Sequence, residues 1–578
     1  LASPKFKDGE SLRTYDYVVA NPPFSDKTWS TGLTPASDIY QRFAWGEPPK
    51  KQGDYAYLLH IIRSMKSAGK SACILPHGVL FRGNVESVIR EKLVRSGILK
   101  GIIGLPGNLF YGTGIPACIF VLDKEGAATR KGIFMIDASK GFIKDGAKNR
   151  LREQDIHKIV DTFTNLAELP CYSRMVPLTE IADPKNAYNL SLPRYIDSTE
   201  PEDIQDIDGH LRGGIPERDL DALGDYLQVI PGVRSALFES AGRTGYAQLK
   251  LPIADVKSTI FAHPEFTAFN QAVTKVFADW KQASTPQLKG FAKNSNPKQL
   301  IEALSEDLLA RFMPTPLVNG YDVYQHLMDY WAETMQDDFY LIADAGWQAG
   351  AQPREVLQVK NKDGKLAWPE AHDYKKGKRR FKSDLIPAPI LIARYFIAER
   401  DAIEALEGKL ADVEQQLQEM MEENSGEEGM LVEVIEGEGD KQKITAKAIK
   451  ARLKEIGKDP DYADERKALQ NYSTLFDNQT KIKATLKAAQ DDLEAKLDAK
   501  YPDLTEEEIK TIVVEDKWLA TLANAVQSEL DRVSQTLTSR IRQLAERYAT
   551  PLPTLTNELA TLSARVDEHL KKMGAVWN

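Results

Sequence analysis

The residues best suited to chemistry stand near the start of the chain, in the sequence YDYVVANPPF. The β-forming residues Tyr15–Ala20 predict a short strand, and two consecutive prolines must end it. The side-chain carbonyl of Asn21 and the backbone carbonyl of Pro22 can accept the two N–H groups of a flat exocyclic amine, which returns lone-pair density to its nitrogen. Pro23 keeps the turn rigid, and Phe24 offers a ring on which a base can stack, for about 1–3 kcal/mol. This arrangement suits a base amine that attacks an activated methyl group.

A plain structural role competes with this chemistry, since Asn21 to Phe24 also fits a turn that ends a strand and buries its ring. The preceding strand favours function, because α/β sheets place ligands at the carboxyl ends of their strands. Phe110 and Tyr111, in a loop rich in glycine and proline, are either the second face of a base sandwich or loop aromatics anchored in the core. His77 is interpreted as a turn residue, since the chemistry needs no general base.

Alternating strands and helices over residues 1–165 would position these side chains. Helical spacing of apolar residues predicts an amphipathic helix over 53–70, and NVESVIREKLVRSG predicts another that ends at Gly97. Apolar runs predict further strands in SACILPHGVLF, LKGIIGL, ACIFVLD and KGIFMIDAS. Near-continuous apolar strands indicate an α/β sheet covered by helices on both faces.

These segments resemble the γ-type amino-methyltransferases that modify DNA, and more closely the long-tailed branch of the modification subunit of type I restriction–modification systems. The resemblance rests on YDYVVANPPF, LPHGVLFRG and LPGNLFYGTGIP in the family's order, and it continues in FMIDAS and NAYNLSLPRYI. It implies a partial Rossmann-like methyltransferase sheet, S-adenosylmethionine as methyl donor, no metal, and the N6 amine of a flipped adenine as acceptor. The choice of adenine over cytosine rests on the resemblance alone. It gives the catalytic role to Asn21, Pro22, Pro23 and Phe24, and base stacking to Phe24, Phe110 and Tyr111.

The resemblance also implies partners: DNA, a specificity subunit that reads its sequence, and a motor or restriction subunit. A scaffold fragment that only docks a partner is the competing class of function. The formal charge of −9 argues against a surface that grips nucleic acid as a whole, although the basic stretch KKGKRRFK at 375–382 is either a phosphate contact or a solvated loop. No apolar run reaches the length of about 18 residues that predicts a membrane span. Three cysteines without metal-like spacing suit a reducing cytoplasm.

A donor site is the part of the family pattern that residues 1–20 do not contain. In the family, a strand, a glycine-rich turn and a helix bind the donor and precede NPPF, whereas LASPKFKDGESLRT has no such pattern. We therefore expect the cofactor-binding residues upstream of Leu1, and a truncated chain that is inactive alone. A permuted methyltransferase is the alternative, with its donor site near 339–350, where FYLIADAGWQAG predicts a strand, an acid and glycines. The glycines within 112–114 predict a turn.

The rest of the chain divides into two parts by its patterns. Residues 166–390 give a mixed signal, in which YDVYQHLMDYWAETMQDDFYLIA predicts a helix that runs into a strand. Beyond them, apolar residues recur at steps of three and four, interrupted by an acidic, hairpin-like break at 423–441. That arm either pairs with itself as an antiparallel hairpin or docks a partner, and the two are compatible. We predict an α/β catalytic domain over 1–165, a mixed α+β, mainly helical domain over 166–390, and a helical coiled-coil arm for subunit assembly over 391–578.

Overall fold

The computed structural model describes residues 1–199, 204–424, 426, 429–437 and 443–574. Its strands are β1 (Lys7–Asp8), β2 (Ser11–Leu12), β3 (Tyr15–Ala20), β4 (Met65–Pro76), β5 (Leu99–Gly104), β6 (Ala117–Asp123), β7 (Gly132–Asp137), β8 (Ile143–Asp145), β9 (Lys148–Arg150), β10 (Ser173–Pro177), β11 (Ile215–Pro216), β12 (Phe238–Ser240), β13 (Tyr246–Leu249), β14 (Arg354–Val356), β15 (Val359–Lys360), β16 (Leu366–Ala367), β17 (Tyr374–Lys376), β18 (Arg379–Lys382), β19 (Ile435–Glu436) and β20 (Lys443–Ile444).

Its α-helices are α1 (Asp54–Arg63), α2 (Val85–Arg95), α3 (Glu153–Asn165), α4 (Leu178–Ile181), α5 (Ile207–Arg212), α6 (Glu217–Asp221), α7 (Gly224–Val229), α8 (Pro231–Leu237), α9 (Ile253–Ala262), α10 (Pro264–Lys289), α11 (Pro297–Phe312), α12 (Gly320–Tyr330), α13 (Gln336–Ala345), α14 (Ala388–Tyr395), α15 (Ile397–Glu423), α16 (Ala446–Ile456), α17 (Ala463–Asp503), α18 (Glu506–Thr511), α19 (Ala520–Arg547) and α20 (Leu552–Lys572). Two helical segments are of the π type, Trp331–Met335 and Ile512–Leu519. Among the described helices, none combines the length and the apolar character needed to cross a membrane.

A six-stranded mixed sheet dominates the amino-terminal part of the chain, in the order β10-β7-β5-β6-β4-β3. β3 pairs with β4, and β5 with β7, in parallel, whereas β6 runs antiparallel to both of its neighbours. β10 is antiparallel to β7. The carboxyl ends of β3, β4, β5 and β7 therefore meet at one edge of the sheet, which is where the candidate residues follow their strands.

Helices cover both faces of this sheet. On β7, Ile133 and Met135 belong to an apolar cluster shared with α1 and α2, whereas Phe134 and Ile136 belong to a second cluster shared with α3. Alternate residues of a strand point to opposite faces, so the two clusters lie on opposite sides of the sheet. The predicted α/β class, with a sheet buried on both faces and long carboxyl-terminal helices, is confirmed.

The helix predicted over 53–70 is shorter in the structure. α1 ends at Arg63, and Met65 already belongs to β4, where it pairs with Tyr15. Apolar residues continue from the helix into the strand, so helical spacing does not mark the change. At Gly69, an added Cβ atom would lie 2.9 Å from a backbone nitrogen, a close approach that suits glycine at an irregular point of the β3–β4 pairing. The second half of the predicted helix is therefore wrong.

Contacts group the chain into two units. The first comprises Leu1–Val273, Leu308–Met328 and Ser528–Asn578, and the second Thr274–Asp307 and Asp329–Gln527. This grouping does not follow chain order and does not test the predicted boundaries, so the three-domain division stays a prediction. Besides the six-stranded sheet, the first unit holds the small antiparallel sheet β11-β13-β12.

The second unit contains an aromatic cluster around Phe339 of α13. Phe339 is fully buried and stacks on Trp331 and Trp518, with ring centroids 5.4 Å and 4.5 Å apart. The strand predicted at this point is therefore wrong, because Gln336–Ala345 is helical and continues directly from the π-helical segment before it. A short apolar run fits a buried helix as well as a strand, and periodicity alone does not separate them.

In the second unit, α15 and α17 pack side by side. Glu399 pairs with Lys496 and Glu414 with Lys483, so residue numbers rise along one helix as they fall along the other. This part of the arm therefore pairs with itself, as the antiparallel alternative predicts. Between the two helices, β19 and β20 pair as the predicted hairpin-like break requires, while 438–442 lie outside the described residues.

The basic stretch 375–382 forms the hairpin of β17 and β18. Much of its charge is paired within the second unit: Lys376 lies 2.9 Å from Asp498, and Lys382 lies 2.7 Å from Glu370. These ion pairs reduce the positive potential that would attract a phosphate. Contact of this stretch with DNA stays a prediction.

Candidate active site

The candidate turn, residues 21–24, leaves the sheet at the carboxyl end of β3. Asn21 and Pro23 are exposed, and Pro22 and Phe24 are half-buried. Within the described part of the chain, no residue forms a hydrogen bond with the Asn21 side chain. Its amide is therefore available to a ligand, at the edge of the sheet where α/β proteins bind theirs.

Asp54, the first residue of α1, holds the next residue of this turn. Its Oδ1 accepts a hydrogen bond from the backbone N–H of Ser25, 2.7 Å away, and its Oδ2 accepts one from Arg82, also 2.7 Å away. Ser25 has a φ of 52°, a left-handed conformation that is uncommon for serine. Because Asp54 is only 1% exposed, both bonds act where water screens them poorly.

Asp26 attaches the same loop to α1 a second time. Its carboxylate accepts hydrogen bonds from the backbone N–H and hydroxyl of Thr28 and from the Tyr57 hydroxyl, each 2.8 Å long. The hydrogen bonds, that of the Thr28 backbone first, lower the pKa of Asp26, and burial raises the pKa of Tyr57 to about 12. At neutral pH the carboxylate is therefore ionised and the phenol protonated, which keeps the loop attached.

Sequence reasoning missed Ser25, Asp54 and Arg82. An acid at the first position of a helix is common because it faces the positive end of the helix dipole, so Asp54 gave no separate signal. The bonds from Asp54 to Ser25 and to Arg82 join residues 29 and 28 positions apart in the chain. Only the fold brings such residues together.

The structure places Phe24 next to Phe110, one of the two predicted stacking partners. Their ring centroids lie 5.6 Å apart with an angle of 72° between the planes, an edge-to-face contact. Phe110 also packs against the apolar cluster of Ile103 and Phe134. Its ring is therefore anchored in the core and at the same time contacts Phe24. Tyr111 is 95% exposed at the loop tip. The geometry thus joins Phe110, but not Tyr111, to residues 21–24.

His77 stands at the carboxyl end of β4, beside β3. It opens the short turn His77–Leu80, and its backbone N–H donates to the carbonyl of Pro116 over 3.0 Å. Burial lowers the pKa of its ring, which is therefore neutral at pH 7. Nε2 is buried and, among the described residues, has no hydrogen-bond partner. The position agrees with the interpretation of His77 as a turn residue.

Neither glycine-bearing segment that the sequence offers fits a methyl donor. Residues 112–114 lie in the connection from β5 to β6, with no helix opening behind them, as the predicted turn requires. At 346–350 there is no strand, and an added Cβ atom at Gly350 would meet the side chains of Ile509, Ile386 and Leu385. Closely packed side chains leave no cradle there, so the permuted arrangement with a donor site near 339–350 is wrong. Among the described residues, no three His, Cys, Asp or Glu side chains are grouped so that they could hold a metal ion.

Residues 1–204 match the family model described as N-6 DNA Methylase. The MjaVII type I restriction enzyme methylase subunit of Methanocaldococcus jannaschii is 33% identical over 248 residues, 41% of each chain. The HindI type I methylase subunit of Haemophilus influenzae is 34% identical over 197 residues, which cover 32% of this chain and 43% of that one.

Among solved structures, the type I restriction-modification system methyltransferase subunit from Streptococcus thermophilus is 36% identical to this chain. The similarity covers 32% of this chain and 39% of that one, with a TM-score of 0.29. The chain thus spans less than half the length of these relatives. The match of residues 1–204 to the N-6 DNA methylase model, together with these relatives, confirms the predicted resemblance to methylase subunits of type I restriction enzymes.

Proposed function

We propose that this chain provides the base-binding half of a type I restriction–modification DNA methyltransferase that methylates adenine at N6. In this proposal, the Asn21 side-chain carbonyl and the Pro22 backbone carbonyl accept the two N–H groups of the target amine. One observation carries it: Asn21 directly follows β3 at the edge where α/β sheets generally bind ligands, is exposed, and forms no side-chain hydrogen bond within the described residues.

Two hydrogen bonds accepted from the amine do two things for the reaction. They return lone-pair density to a nitrogen whose electrons are spread into the ring, and they fix its direction of approach, which the rigid prolines maintain. We assign the target amine to adenine N6 and not to cytosine N4, because the matched family is described as N-6 DNA methylase. That family implies S-adenosylmethionine as the source of the methyl group. The described glycine-bearing segments, 112–114 and 346–350, do not fit this donor.

Stacking by Phe24 and Phe110 would hold the plane of the base. Their edge-to-face contact at 5.6 Å closes the space between the two rings, so a base enters by turning one of them. In duplex DNA the base must first leave the helix, at a cost of a few kcal/mol. Stacking contributes about 1–3 kcal/mol per base and helps to offset that cost. Tyr111 remains a candidate for stacking, because its exposed ring has little contact to lose.

We propose DNA and a specificity subunit as partners, together with a motor or restriction subunit, in the cytoplasm. Support comes from relatives that are methylase subunits of type I restriction enzymes. The chain's formal charge of −9 also favours a separate polypeptide as the reader of the DNA sequence.

A scaffold role is the second candidate function, and α20 favours it. All of its residues from 552 to 569 are exposed, including an apolar seam of Leu555, Leu559, Leu562 and Val566. A single helix exposed all round is marginal in water, so this seam suits a partner helix. The two functions are compatible, because the seam and the candidate turn are separate sets of residues.

Asn21→Ala tests the enzymatic proposal in a full-length methylase subunit that contains the donor-binding part as well as this chain, assembled with the specificity subunit and supplied with tritiated S-adenosylmethionine and DNA. We expect the rate of adenine labelling to fall on the order of 100-fold, because the amine loses an acceptor and its orientation. DNA binding in a gel-shift assay should change little. Asn21→Asp, which keeps an acceptor oxygen, is the matched control and should retain part of the activity. Labelling at the wild-type rate in Asn21→Ala would remove Asn21 from the mechanism, and an unlabelled but assembled wild type would favour the scaffold.

A further inference from the structure

The loop that carries Phe110 has little of its own to hold it in place. Residues 105–116 connect β5 to β6 and contain Pro106, Gly107, Gly112, Gly114 and Pro116. The glycines give such a loop many accessible conformations when free, and fixing them costs conformational entropy. Core packing supports one side of the Phe110 ring, and the backbone of the loop tip needs further contacts to keep that ring next to Phe24.

Inside the loop, one contact closes its neck. The backbone N–H of Asn108 donates to the carbonyl of Gly114 over 3.2 Å. Asn108 has a φ of 55°, and a Cβ atom at Gly114 would lie 2.9 Å from its Oδ1, so the two residues pass each other closely. This contact brings the two sides of the loop together but leaves residues 109–113, including the ring of Phe110, beyond the neck.

The hairpin of β8 and β9 binds the loop beyond that neck. Lys148 donates from its ammonium group to two backbone carbonyls, that of Phe110 over 2.7 Å and that of Thr113 over 2.9 Å. Asn149 adds two hydrogen bonds, from its side-chain amide to the Gly107 carbonyl over 2.7 Å and from its backbone N–H to the Asn108 carbonyl over 3.0 Å. Four hydrogen bonds from two adjacent residues thus hold both the neck and the tip.

Lys148 suits this role in its charge and its position. It lies half-buried, and no carboxylate of the described residues forms an ion pair with it, so its donors are available to the loop. The two carbonyls that it joins stand on either side of Tyr111 and Gly112, the tip of the loop. Hydrogen bonds from a charged donor are stronger than those between neutral groups. Loss of the ammonium would release the tip while leaving the neck closed.

We propose that Lys148 is a positioning residue for the target base: by fixing the backbone on both sides of the loop tip, it holds the Phe110 ring opposite Phe24. The inference rests on the proposed function, because positioning matters only if a base stacks on Phe110. Asn149, which is 8% exposed, supports the same loop from below. Lys148 acts through the backbone of Phe110 and does not itself touch the base.

The test uses the full chain and a short thymidine oligonucleotide with one central 2-aminopurine, whose fluorescence reports stacking on an aromatic ring. Lys148→Met removes the ammonium and keeps the aliphatic stem, and Lys148→Arg restores a charged donor. Lys144→Met is the matched control, since Lys144 is an exposed lysine of the same hairpin. A second measurement is the rate of chymotrypsin cleavage after Phe110 and Tyr111, which reports opening of the loop.

In Lys148→Met we expect binding of the 2-aminopurine strand to weaken, and cleavage at the loop to accelerate, each on the order of tenfold. Lys148→Arg should recover most of both signals, and Lys144→Met should match the wild type. Faster cleavage with unchanged 2-aminopurine binding, or no change in either, would overturn the positioning role. Failure of the proposed function itself would look different. If Phe110→Ala gives the same 2-aminopurine signal as the wild type, no base stacks on this ring.

Discussion

The side chain of Asp54 accepts hydrogen bonds from two directions, from Ser25 in the candidate turn and from Arg82 after β4. Arg82 has a second acid nearby, since it lies 3.4 Å from Glu86, whose pKa burial raises. The shorter bond to Asp54 is therefore the main ionic contact of Arg82. At the scale of single residues, the buried Asp54 carboxylate holds the loop at Ser25, four positions after Asn21 in the chain. The Asn21 side chain has no hydrogen bond of its own within the described residues.

Asp54→Asn tests that dependence with little change of shape. An amide cannot accept hydrogen bonds on both of its arms, so either Ser25 or Arg82 loses its acceptor. We expect the free energy of unfolding to fall by about 2 kcal/mol, because a buried donor is left unsatisfied. Urea denaturation followed by circular dichroism measures it.

Glu91→Gln is the control for Asp54→Asn. It also removes a carboxylate that is paired with an arginine, since Glu91 lies 2.8 Å from Arg95. In this pair, however, both side chains are well exposed. An exposed pair of this kind contributes about 0.3–0.5 kcal/mol. Equal effects of the two substitutions would show that burial of Asp54 is not what holds the turn.

At the scale of elements, α18 shows how one helix end is fixed by its sequence. Thr505 and Glu508 form a capping box, in which Thr505 accepts from the backbone N–H of Glu508 and Glu508 accepts from that of Thr505. The Tyr395 hydroxyl donates to the same carboxylate over 2.9 Å. These hydrogen bonds, that of the Thr505 backbone first, lower the pKa of Glu508 from 4.5 to about 2.

Glu508→Gln should therefore change the dependence of stability on pH. The pKa of Glu508 is lower in the folded than in the unfolded chain, so its contribution is complete above about pH 4.5 and is lost as the pH falls toward 2. At pH 7 we expect the variant to be about 1 kcal/mol less stable. The gap should close with acidification, as measured by urea denaturation across this range.

Glu507→Gln is the matched control on the same helical turn, where the Glu507 side chain is 80% exposed. It should track the wild type from pH 7 to pH 3. A gap for Glu508→Gln that stays constant as the pH falls would mean that the carboxylate charge does not stabilise the cap.

Across the whole molecule, sequence patterns predicted the features that local residue spacing determines. The apolar seam of α19, the alternating strands and helices before 165, and the turn at residues 21–24 follow from local spacing and breakers. The patterns failed where one apolar run serves two elements, as at Met65, or where a buried helix resembles a strand, as at Phe339. The hydrogen bonds of Asp54 and Lys148 depend on tertiary placement, which leaves no periodic trace.

The last two helices show what burial of a seam means for the molecule. In α19, Leu530, Leu537 and Ile541 are each 1% exposed, whereas in α20 Leu559 and Leu562 are 67% and 55% exposed. Full burial of a leucine is worth about 1.5–3 kcal/mol. Burial of the α20 seam by a partner would therefore stabilise a complex, because the chain itself leaves this seam exposed. We propose that the specificity subunit is this partner.

Leu559→Glu together with Leu562→Glu tests this assignment. Both side chains are exposed, so the thermal unfolding midpoint of the chain alone should stay within a few degrees of the wild type. Affinity for the co-expressed specificity subunit should fall by a factor on the order of ten, because two charges would enter an apolar interface. Asn557→Glu with Ala564→Glu adds the same charge on the opposite face of α20 and should leave binding intact, as measured by size-exclusion chromatography with light scattering and by titration calorimetry. Equal loss in both double variants would point to charge repulsion alone, and no loss in either would place the docking surface elsewhere than on the α20 seam.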